Sequence, residues 1–378
     1  MSAPALLYLH IPFCLRKCAY CDFYSESGHA LPRRIDYARG LMRELQAAAT
    51  GWQEHEFETM YLGGGTPSLI PASEIKLLVM RARELYRFME QPEISLEINP
   101  ATLTLPELYG LQEAGVNRLS IGVQSFNDDE LKLLGRSHSV QHSNQLIAAA
   151  KEAGFQNVNL DLIYGLPGQS MAAWQENIAQ AAATGCTHIS AYLLQLDDAC
   201  PMARQVAAGE LVLPEEDIQA EMYDMTRLEL KKAGYAQYEI SNFALSGYEC
   251  RHNTGYWQMK DYLGIGAGAV SRRAGRRCRN PQDLRAYSDA GGALPAPEAI
   301  ETMDASGLLT EAMIMGLRMN AGVDPAALQA RFGAELTPEQ HAGLRRCIAA
   351  GLLEAAGERL RLSEQGFFLS NQVFERLL

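Results

Sequence analysis

The chain has 378 residues, which is more than one typical hydrophobic core holds, so two or more domains are expected. Hydrophobic residues make up 47% and charged residues 21%, as in ordinary globular proteins. The formal net charge of -12 argues against a general affinity for nucleic acid, because phosphate binding needs a cationic face. No apolar run reaches the roughly 18 residues of a membrane span, and MSAPALLYLHIPFC lacks the features of a signal peptide. We therefore expect a cytoplasmic protein.

Six short apolar stretches alternate with helical patterns through the first 235 residues. The strand candidates, in chain order, are LLYLHIPF, TMYLGGG, ISLEINP, RLSIGVQS, NVNLDLIYG and HISAYLLQL. Several of the helical patterns end in a glycine just before the next strand. This alternation predicts parallel strands joined by crossover helices, and hence an α/β sheet or barrel.

The pattern inside these strands predicts a polar interior. In ISLEINP the apolar residues alternate with Ser95 and Glu97, and in NVNLDLIYG they alternate with Asn159 and Asp161. Parallel strands that are buried on both faces would be nearly continuously apolar. One face is therefore expected to pack on helices while the other lines a ligand-sized cavity. This favours an open six-unit (β/α) partial barrel over a closed eight-unit barrel, with a doubly wound sheet as the alternative.

The strand–helix period breaks after residue 235. YAQYEISNFAL predicts a strand, and GYECRHNTGYWQMKDYLGIGAGAVSRRAGRRCRN predicts loops because it is rich in glycine. GGALPAPEA is expected to form a linker, and the helices and final hairpin after it are typical of a small winged-helix-like domain. We predict a barrel domain over 1–235, a connecting region over 236–300 and a helical C-terminal domain over 301–378.

Three of the eight cysteines are clustered directly after the first strand. Cys14, Cys18 and Cys21 have the spacing C-x3-C-x2-C, at the end of the strand where a barrel carries its active-site loops. In a reducing compartment such a cluster indicates metal binding or catalysis rather than disulfides. A structural zinc site would need a fourth ligand nearby, and the next cysteine is Cys186, in another unit. Three thiolates on a four-iron cluster would leave one iron open to a small molecule.

This spacing resembles the motif of the radical S-adenosylmethionine (SAM) superfamily. The resemblance implies a 4Fe-4S cluster whose open iron chelates the amino and carboxylate groups of SAM. In GGGTP, after the second strand, Gly64, Gly65 and Thr66 can bring bare backbone close to that ligand. Tyr20, inside the cysteine loop, resembles the superfamily position whose backbone faces adenine.

Further candidates for SAM binding lie near the carboxyl ends of strands three to five. Glu97, Gln124 and Asp161 are on the polar strand face, and Arg136 follows in LGRSH. The two carboxylates can bind ribose hydroxyls or amines, and Arg136 can pair with a carboxylate. Taken singly, each of them is equally well explained as a solvated or internally satisfied polar group.

Six segments together resemble the HemN/HemW family within that superfamily: LYLHIPFCLRKCAYCDF, YLGGGTPS, SLEINP, LSIGVQSF, LGRSH and LDLIYGLPGQ. The resemblance covers almost the whole chain. It implies that Tyr8, Gly64 and Glu97 contact the SAM on the cluster. Positions that hold a second SAM in the family's dehydrogenase are matched by Gly65, Thr66, Gln124, Arg136 and Asp161. The number of SAM molecules bound here is left open.

Two departures from the oxygen-independent coproporphyrinogen dehydrogenase favour the haem-chaperone branch, HemW. The dehydrogenase has a further cysteine two residues after the third, where this chain has Phe23, and a long extension before its first strand. The HemW signature H-N-x-x-Y-W is matched in RHNTGYW by His252, Asn253, Tyr256 and Trp257. This resemblance implies haem binding at that segment.

The residue types in RHNTGYW suit haem binding, but a purely structural role would also explain them. His252 can supply an axial donor to haem iron, and Tyr256 and Trp257 can supply aromatic walls. The alternative is a histidine satisfied by the backbone, beside aromatic residues that pack at the barrel mouth. Cys250 is a second donor candidate. SRRAGRRCRN, with five arginines, predicts a solvated loop, or a contact for haem propionates or an anionic membrane.

The favoured function is therefore a haem chaperone that delivers haem to acceptor haemoproteins. The alternative is an enzyme that oxidatively decarboxylates coproporphyrinogen III, with the cofactor carrying the chemistry. Whether SAM is cleaved, and which residue would be catalytic, is not assigned. The resemblance alone suggests peripheral membrane contact, and it leaves a homodimer open. A nucleic-acid-modifying radical enzyme fits poorly with the net charge of -12.

Overall fold

A computed structural model describes residues 4–288 and 296–378 as an α/β structure. The strands within these ranges are β1 (Ala5–Ile11), β2 (Phe13–Cys14), β3 (Glu26–Ser27), β4 (Glu56–Gly64), β5 (Arg87–Ile98), β6 (Arg118–Gln124), β7 (Asn157–Tyr164), β8 (His188–Leu193), β9 (Ala236–Gln237), β10 (Asn242–Ala244), β11 (Tyr262–Ile265), β12 (Val270–Arg273), β13 (Arg276–Arg279), β14 (Glu298–Thr302), β15 (Leu353–Ala356) and β16 (Arg359–Leu362).

The helices within the same ranges connect these strands or follow them. They are α1 (Leu31–Ala48), α2 (Ala72–Leu85), α3 (Leu105–Glu113), α4 (Asp128–Leu133), α5 (Val140–Glu152), α6 (Met171–Ala183), α7 (Pro201–Ala207), α8 (Glu216–Lys232), α9 (Arg251–Trp257), α10 (Leu284–Ser288), α11 (Ala305–Leu317), α12 (Pro325–Phe332), α13 (Pro338–Ala349), α14 (Glu364–Phe368) and α15 (Ser370–Phe374), with short 3-10 turns at Ala49–Trp52 and Pro67–Leu69. None of the described helices is both long and apolar enough to cross a membrane.

Twelve of the described strands form one sheet. Its order is β14-β13-β12-β11-β1-β4-β5-β6-β7-β8-β10-β9. β1 and β4 to β8 are parallel and follow one another in chain order, without the reversal that defines a doubly wound sheet. All six predicted strands are present. The predicted open six-unit partial barrel is therefore confirmed, and the doubly wound alternative is wrong.

The apolar face of the barrel strands forms the core with the surrounding helices. Leu9, Leu62, Leu96, Ile121 and Leu160 come from five successive strands, and all are fully buried. Amphipathic helices such as α1 and α2 cover this face with their own buried leucines. Replacing one such leucine by alanine would cost about 2–5 kcal/mol, because a cavity is left in a close-packed core. The opposite strand face is polar and encloses a cavity.

The segment after residue 235 continues the sheet on both of its edges. β10 pairs with β8 in antiparallel orientation, and β11 pairs with β1 in parallel orientation. β12 and β13 then form a hairpin that pairs with β14. The prediction that SRRAGRRCRN is a solvated loop is therefore wrong. Its two-residue turn has positive φ at both Ala274 (49°) and Gly275 (78°), as in the turns that match strand twist.

RHNTGYW is the helix α9 rather than the predicted loop. The residue before the helix, Cys250, makes no side-chain cap. Glu93 of β5 caps the helix instead, because its carboxylate accepts hydrogen bonds from the backbone amides of Arg251 and His252, both at 3.1 Å. A cap supplied from a strand more than 150 positions earlier leaves no local signal in the sequence.

The C-terminal residues contain the elements predicted for them. Helices α11 to α13 precede the β15–β16 hairpin, and α14 and α15 follow it. A capping box at Thr337, in which its side chain and that of Gln340 exchange hydrogen bonds with each other's backbone, starts α13. Most of the predicted linker GGALPAPEA lies outside the described residues, and the three-domain division stays a prediction.

Candidate functional site

A cavity of about 430 Å³ lies at the carboxyl ends of the parallel strands. Three groups of residues line it: the cysteine loop, the polar faces of β4 to β8, and the turn after α4. The predicted site residues in this lining are Cys14, Cys18, Tyr20, Cys21, Gly64, Gly65, Thr66, Glu97, Gln124, Arg136, Asp161 and Asn253. The structure therefore brings together most of the residues that sequence reasoning proposed for cluster and SAM.

The three clustered cysteines are free, half-buried thiols on one loop at this cavity. The loop leaves β2 and returns at β3, which pairs with it, and the Ala19 amide is anchored to the Leu134 carbonyl at 3.2 Å. Burial is the main cause that raises the pKa of the Cys21 thiol to about 11, and the charges of Cys18 and Cys14 contribute to that rise. A metal cluster is the partner that would favour three neighbouring thiolates, so the donor set fits an iron–sulfur cluster.

Arg136 connects the cysteine loop to the strands. Its Nη1 lies 3.5 Å from the Cys18 sulfur, and its Nη2 donates to the Gly122 carbonyl at 3.0 Å. The same nitrogen donates to the Asn99 side chain, which in turn donates to the Thr66 hydroxyl at 2.8 Å. The Arg136 guanidinium therefore lies next to one of the three predicted cluster ligands and fixes its position relative to the strands.

The glycine-rich turn after β4 is required by packing as well as by any ligand. Gly64 has φ of 118°, and a Cβ there would lie 2.7 Å from the His10 ring. A Cβ on Gly65 would lie 2.6 Å from the Phe13 carbonyl oxygen. The glycines therefore let β4 approach β1 and the cysteine loop, and the backbone beside the cavity is bare as predicted.

Two carboxylates line the cavity from β5 and β7, the strands on either side of β6. Glu97 accepts hydrogen bonds from the Tyr61 hydroxyl at 2.9 Å and the Gly64 amide at 3.1 Å. Burial is the main cause that raises the pKa of Glu97 to about 7, and the Asp161 charge adds to it. Asp161 accepts from Ser120 at 3.1 Å and Asn159 at 2.8 Å, and burial raises its pKa as well. These hydrogen bonds hold both carboxylates in place, and both residues line the cavity.

Of the predicted SAM contacts Gln124 and Tyr8, only Gln124 is in the described lining of the cavity. Gln124 ends β6 with a left-handed φ of 66°, which costs a non-glycine residue about 1–2 kcal/mol, and it lines the cavity. Tyr8 lies outside the lining of this cavity in the described chain. Its hydroxyl is 3.0 Å from His10 Nδ1, and its ring stacks against Tyr61 at 6.3 Å. The predicted contact of Tyr8 with SAM stays a prediction.

His252, the first residue of the HNxxYW motif, lies toward the amino ends of the barrel strands. His252 is 1% exposed, with Nδ1 2.6 Å from the Thr59 hydroxyl and Nε2 2.9 Å from the Tyr256 hydroxyl. Thr59 lies near the amino end of β4, whereas the cysteines follow the carboxyl end of β1. Burial lowers the pKa of His252 to about 3, so its imidazole is neutral at physiological pH. Helix α9 thus closes the amino end of the barrel.

The other members of this motif face different surroundings. Asn253 lines the inner end of the cavity. Tyr256 packs edge-on against Tyr262, with ring centroids 4.9 Å apart, and the Arg318 guanidinium lies 4.6 Å from the Trp257 ring centroid. Cys250 is fully buried beside Glu93, with its sulfur 3.7 Å from a carboxylate oxygen. As the chain is folded here, only Asn253 of the four motif residues is in the lining described for this cavity.

The arginines of SRRAGRRCRN are largely engaged within the protein. Arg272 donates to the Met259 carbonyl at 2.9 Å, and Arg273 donates to the Gly51 carbonyl and lies over the Trp52 ring. Arg277 forms ion pairs with Glu301 and Glu311. These three side chains hold the hairpin to its neighbours.

Arg118 is the main cavity residue that sequence reasoning missed. It begins β6, is only 2% exposed, and lines the cavity, yet its Nε has no hydrogen-bond partner among the described residues. A hydrogen-bonded group of polar side chains lies on the same polar strand face. In it, Asn159 donates to Ser120 at 2.7 Å and Ser190 donates to Asn159 at 3.1 Å. The signal available was the polar alternation in RLSIGVQS, which begins with this arginine.

Comparison with known proteins assigns the fold and the family. The radical SAM superfamily matches residues 8–181, and the HemN C-terminal domain matches residues 304–369. The solved structure of coproporphyrinogen III oxidase (HemN) from Escherichia coli superimposes with a TM-score of 0.85 at 23% identity, over 100% of this chain and 90% of that chain. That identity shows a shared fold. The superfamily implies a 4Fe-4S cluster and SAM as cofactors.

Curated relatives align along the whole chain. Heme chaperone HemW from Lactococcus lactis is 34% identical over 100% of this chain and 98% of the relative. Heme chaperone HemW from Bacillus subtilis is 34% identical over 98% of both chains. HemW from Escherichia coli is 38% identical over 70% of this chain and 69% of the relative. The chain belongs to the HemW family of the radical SAM superfamily.

Proposed function

We propose that this protein is a haem-binding chaperone that holds a 4Fe-4S cluster and SAM and delivers haem to acceptor haemoproteins. The observation that carries the proposal is the alignment, along its whole length, with relatives named heme chaperone HemW. Phe23, in place of the dehydrogenase's further cysteine, supports the same assignment. Coproporphyrinogen oxidation is not favoured, because the structural likeness to HemN at 23% identity concerns the fold alone.

Cys14, Cys18 and Cys21 would hold the cluster. Three thiolates would leave one iron of a four-iron cluster open to SAM, and the bound cluster would supply one-electron chemistry at this site. The Arg136 guanidinium, 3.5 Å from the Cys18 sulfur, would offset part of the thiolate charge.

SAM would occupy the cavity between the cysteine loop and the strand ends. Tyr20, Gly64 and Thr66 lie beside the cysteines, and the bare amides of the glycine turn suit the amino-acid end of SAM. Glu97, oriented by Tyr61 and the Gly64 amide, is placed to accept hydrogen bonds from ribose hydroxyls. The remaining predicted positions in the lining, which would contact the rest of the ligand, are Gly65, Gln124, Arg136 and Asp161.

His252 is the proposed axial ligand of the haem iron. A neutral imidazole nitrogen is the form that binds iron, and the low pKa of His252 keeps it neutral. Ligation through Nε2 would require the 2.9 Å contact with the Tyr256 hydroxyl to break, so α9 would have to move. Tyr256 and Trp257 would then be free to contact the macrocycle, with Asn253 and Cys250 as further proposed contacts.

A haem titration of the anaerobically reconstituted protein tests the assignment. We expect a Soret band typical of protein-bound haem in the wild type and a shifted, weaker band in His252→Ala. His341→Ala, which changes an exposed histidine of α13, is the matched control and should leave the band unchanged. A wild-type protein that binds no haem would contradict the proposal. Cytoplasmic location, peripheral membrane contact and a homodimer stay predictions.

A further inference from the structure

We propose that the cysteine loop carries a second haem-contact surface, separate from the His252 segment at the amino end of the barrel. In this arrangement the macrocycle lies against Leu15 and Phe23 at the cavity mouth, and the propionates are directed toward Arg16 and Lys17. The inference rests on the proposed function for the identity of the cargo. It assigns to Phe23 a contact role in place of the metal-ligand role that a cysteine there would suggest.

Two large apolar side chains are exposed on this loop. Leu15 is 60% exposed and Phe23 is 64% exposed, and both belong to the cavity lining. A protein that only needed to fold would gain by burying them, because apolar surface in water is unfavourable. Two such side chains within nine residues, at the edge of a ligand cavity, indicate a surface that a ligand covers.

The fold buries another aromatic residue at the base of the same loop. Phe13 is 1% exposed and packs edge-on against Tyr37, with ring centroids 5.2 Å apart. The Phe23 backbone is held in place by the Ser25 hydroxyl, which donates to its carbonyl at 3.4 Å. The outward position of the Phe23 ring is therefore a feature of an ordered loop whose other phenylalanine points into the core.

The charges on the loop match an amphiphilic dianion. Arg16 and Lys17 are exposed and have no ion-pair partner among the described residues, in a chain of net charge -12. Asp22, beside Phe23, is the acidic residue of the loop. Haem presents a flat apolar face and two propionates at one edge. Asp22 would repel these carboxylates, so the edge that carries them would turn toward Arg16 and Lys17.

Binding constants for haem test the apolar contact. The probe is haem itself, titrated into anaerobically reconstituted full-length protein with SAM present, and iron and sulfide contents confirm the cluster in each sample. We expect Leu15→Ser combined with Phe23→Ser to weaken haem binding by about tenfold or more. The matched control is Val212→Ser with Leu228→Ser, which changes two side chains that are 72% and 58% exposed and lie outside the described cavity lining. It should bind haem as the wild type does.

The charge contact has a separate test that does not alter apolar packing. Arg16→Glu with Lys17→Glu should weaken haem binding and reduce its dependence on salt, whereas Asp22→Asn should strengthen it. Lys231→Glu with Arg345→Glu reverses two exposed charges elsewhere and serves as the control. Haem without propionate charges, as its dimethyl ester, should bind wild type and the Arg16/Lys17 variant equally.

Each outcome decides the inference. Loop variants that bind haem as tightly as the wild type overturn it, and loop variants that bind haem normally but transfer it poorly would assign the loop to the acceptor protein instead. A control pair that weakens binding as much as the loop pair also overturns it. A wild type that binds no haem removes the proposed function and this inference together, and is distinguished from the other results by the wild-type titration alone.

Discussion

The carboxylate of Glu93 accepts a hydrogen bond from the backbone amide of His252, 159 positions later in the chain, at 3.1 Å. The same carboxylate accepts from the Arg251 amide, also at 3.1 Å. These two bonds attach α9 to the barrel and place the His252 ring among Tyr8, Tyr61 and Tyr256. The HNxxYW segment is thus a closure of the barrel's amino end.

Glu93→Ala should destabilise the protein, because the buried amide of His252 and the part-buried amide of Arg251 lose their acceptor. We expect the free energy of unfolding to fall by about 2–4 kcal/mol, as for a buried hydrogen-bond group that loses its partner. Urea denaturation of both proteins measures the change. Glu90→Ala, at an exposed position of the same strand, is the control. A Glu93→Ala protein within about 0.5 kcal/mol of the wild type would show that α9 does not depend on this cap.

Glu97 should make stability depend on pH in a defined direction. Its folded pKa of about 7 lies above the usual glutamate value of 4.5, because burial and the Asp161 charge disfavour the ionised form. The folded protein therefore holds the proton more tightly, and the stability that this gives is present at low pH and lost as pH rises from 4.5 through 7.

Between pH 4.5 and 7, the free energy of unfolding should change less in Glu97→Gln than in the wild type. We expect the difference between the two proteins to be about 1–3 kcal/mol. Unfolding free energies measured in urea at several pH values provide the comparison. Glu54→Gln, at an exposed site, should keep the wild-type slope. An unchanged slope in Glu97→Gln would mean that this carboxyl titrates normally.

Cys18→Ser should lose most of the bound iron after anaerobic reconstitution, together with the brown absorbance of the cluster. The reason is that two thiolates cannot replace three around a four-iron cluster. Cys278→Ser removes a half-buried cysteine of β13 that lies outside the described cavity lining, and it should retain the wild-type iron content. Undiminished iron in Cys18→Ser would count against the site.

The β12–β13 turn offers a test of backbone strain. Ala274 has φ of 49°, a left-handed conformation that glycine adopts without a steric cost. Ala274→Gly should therefore raise the free energy of unfolding by about 0.5–1 kcal/mol. Thermal unfolding with the exposed Ala208→Gly variant as a control would check this, since Ala208 has an ordinary right-handed conformation. A destabilised Ala274→Gly protein would contradict the assigned turn.

Local sequence patterns were sufficient for the barrel and insufficient for the region after it. The six barrel strands follow from short apolar stretches that alternate with helical patterns, and the cysteine spacing lies within eight residues. Helix α9 was missed because its cap, Glu93, belongs to a distant strand. The β12–β13 hairpin was missed because Ala274 occupies a turn position that usually takes asparagine, aspartate or glycine.

The placement of functional side chains also follows from local patterns in the barrel strands but not in the segment after them. Glu97 and Asp161 could be assigned to the cavity from strand alternation, because the register of parallel strands puts them on one face. The burial of His252, and its contacts with Thr59 and Tyr61, depend on how distant segments pack. No periodicity within RHNTGYW contains that information.

The most direct test of the central claim compares haem transfer with porphyrinogen oxidation on one preparation. The anaerobically reconstituted protein is loaded with haem, mixed with an apo-haemoprotein and followed by the Soret band of the acceptor, while a second portion receives coproporphyrinogen III, SAM and a reductant. We predict that haem appears in the acceptor and that coproporphyrinogen III is unchanged. Conversion of coproporphyrinogen III to its divinyl product, without haem transfer, would contradict the chaperone function.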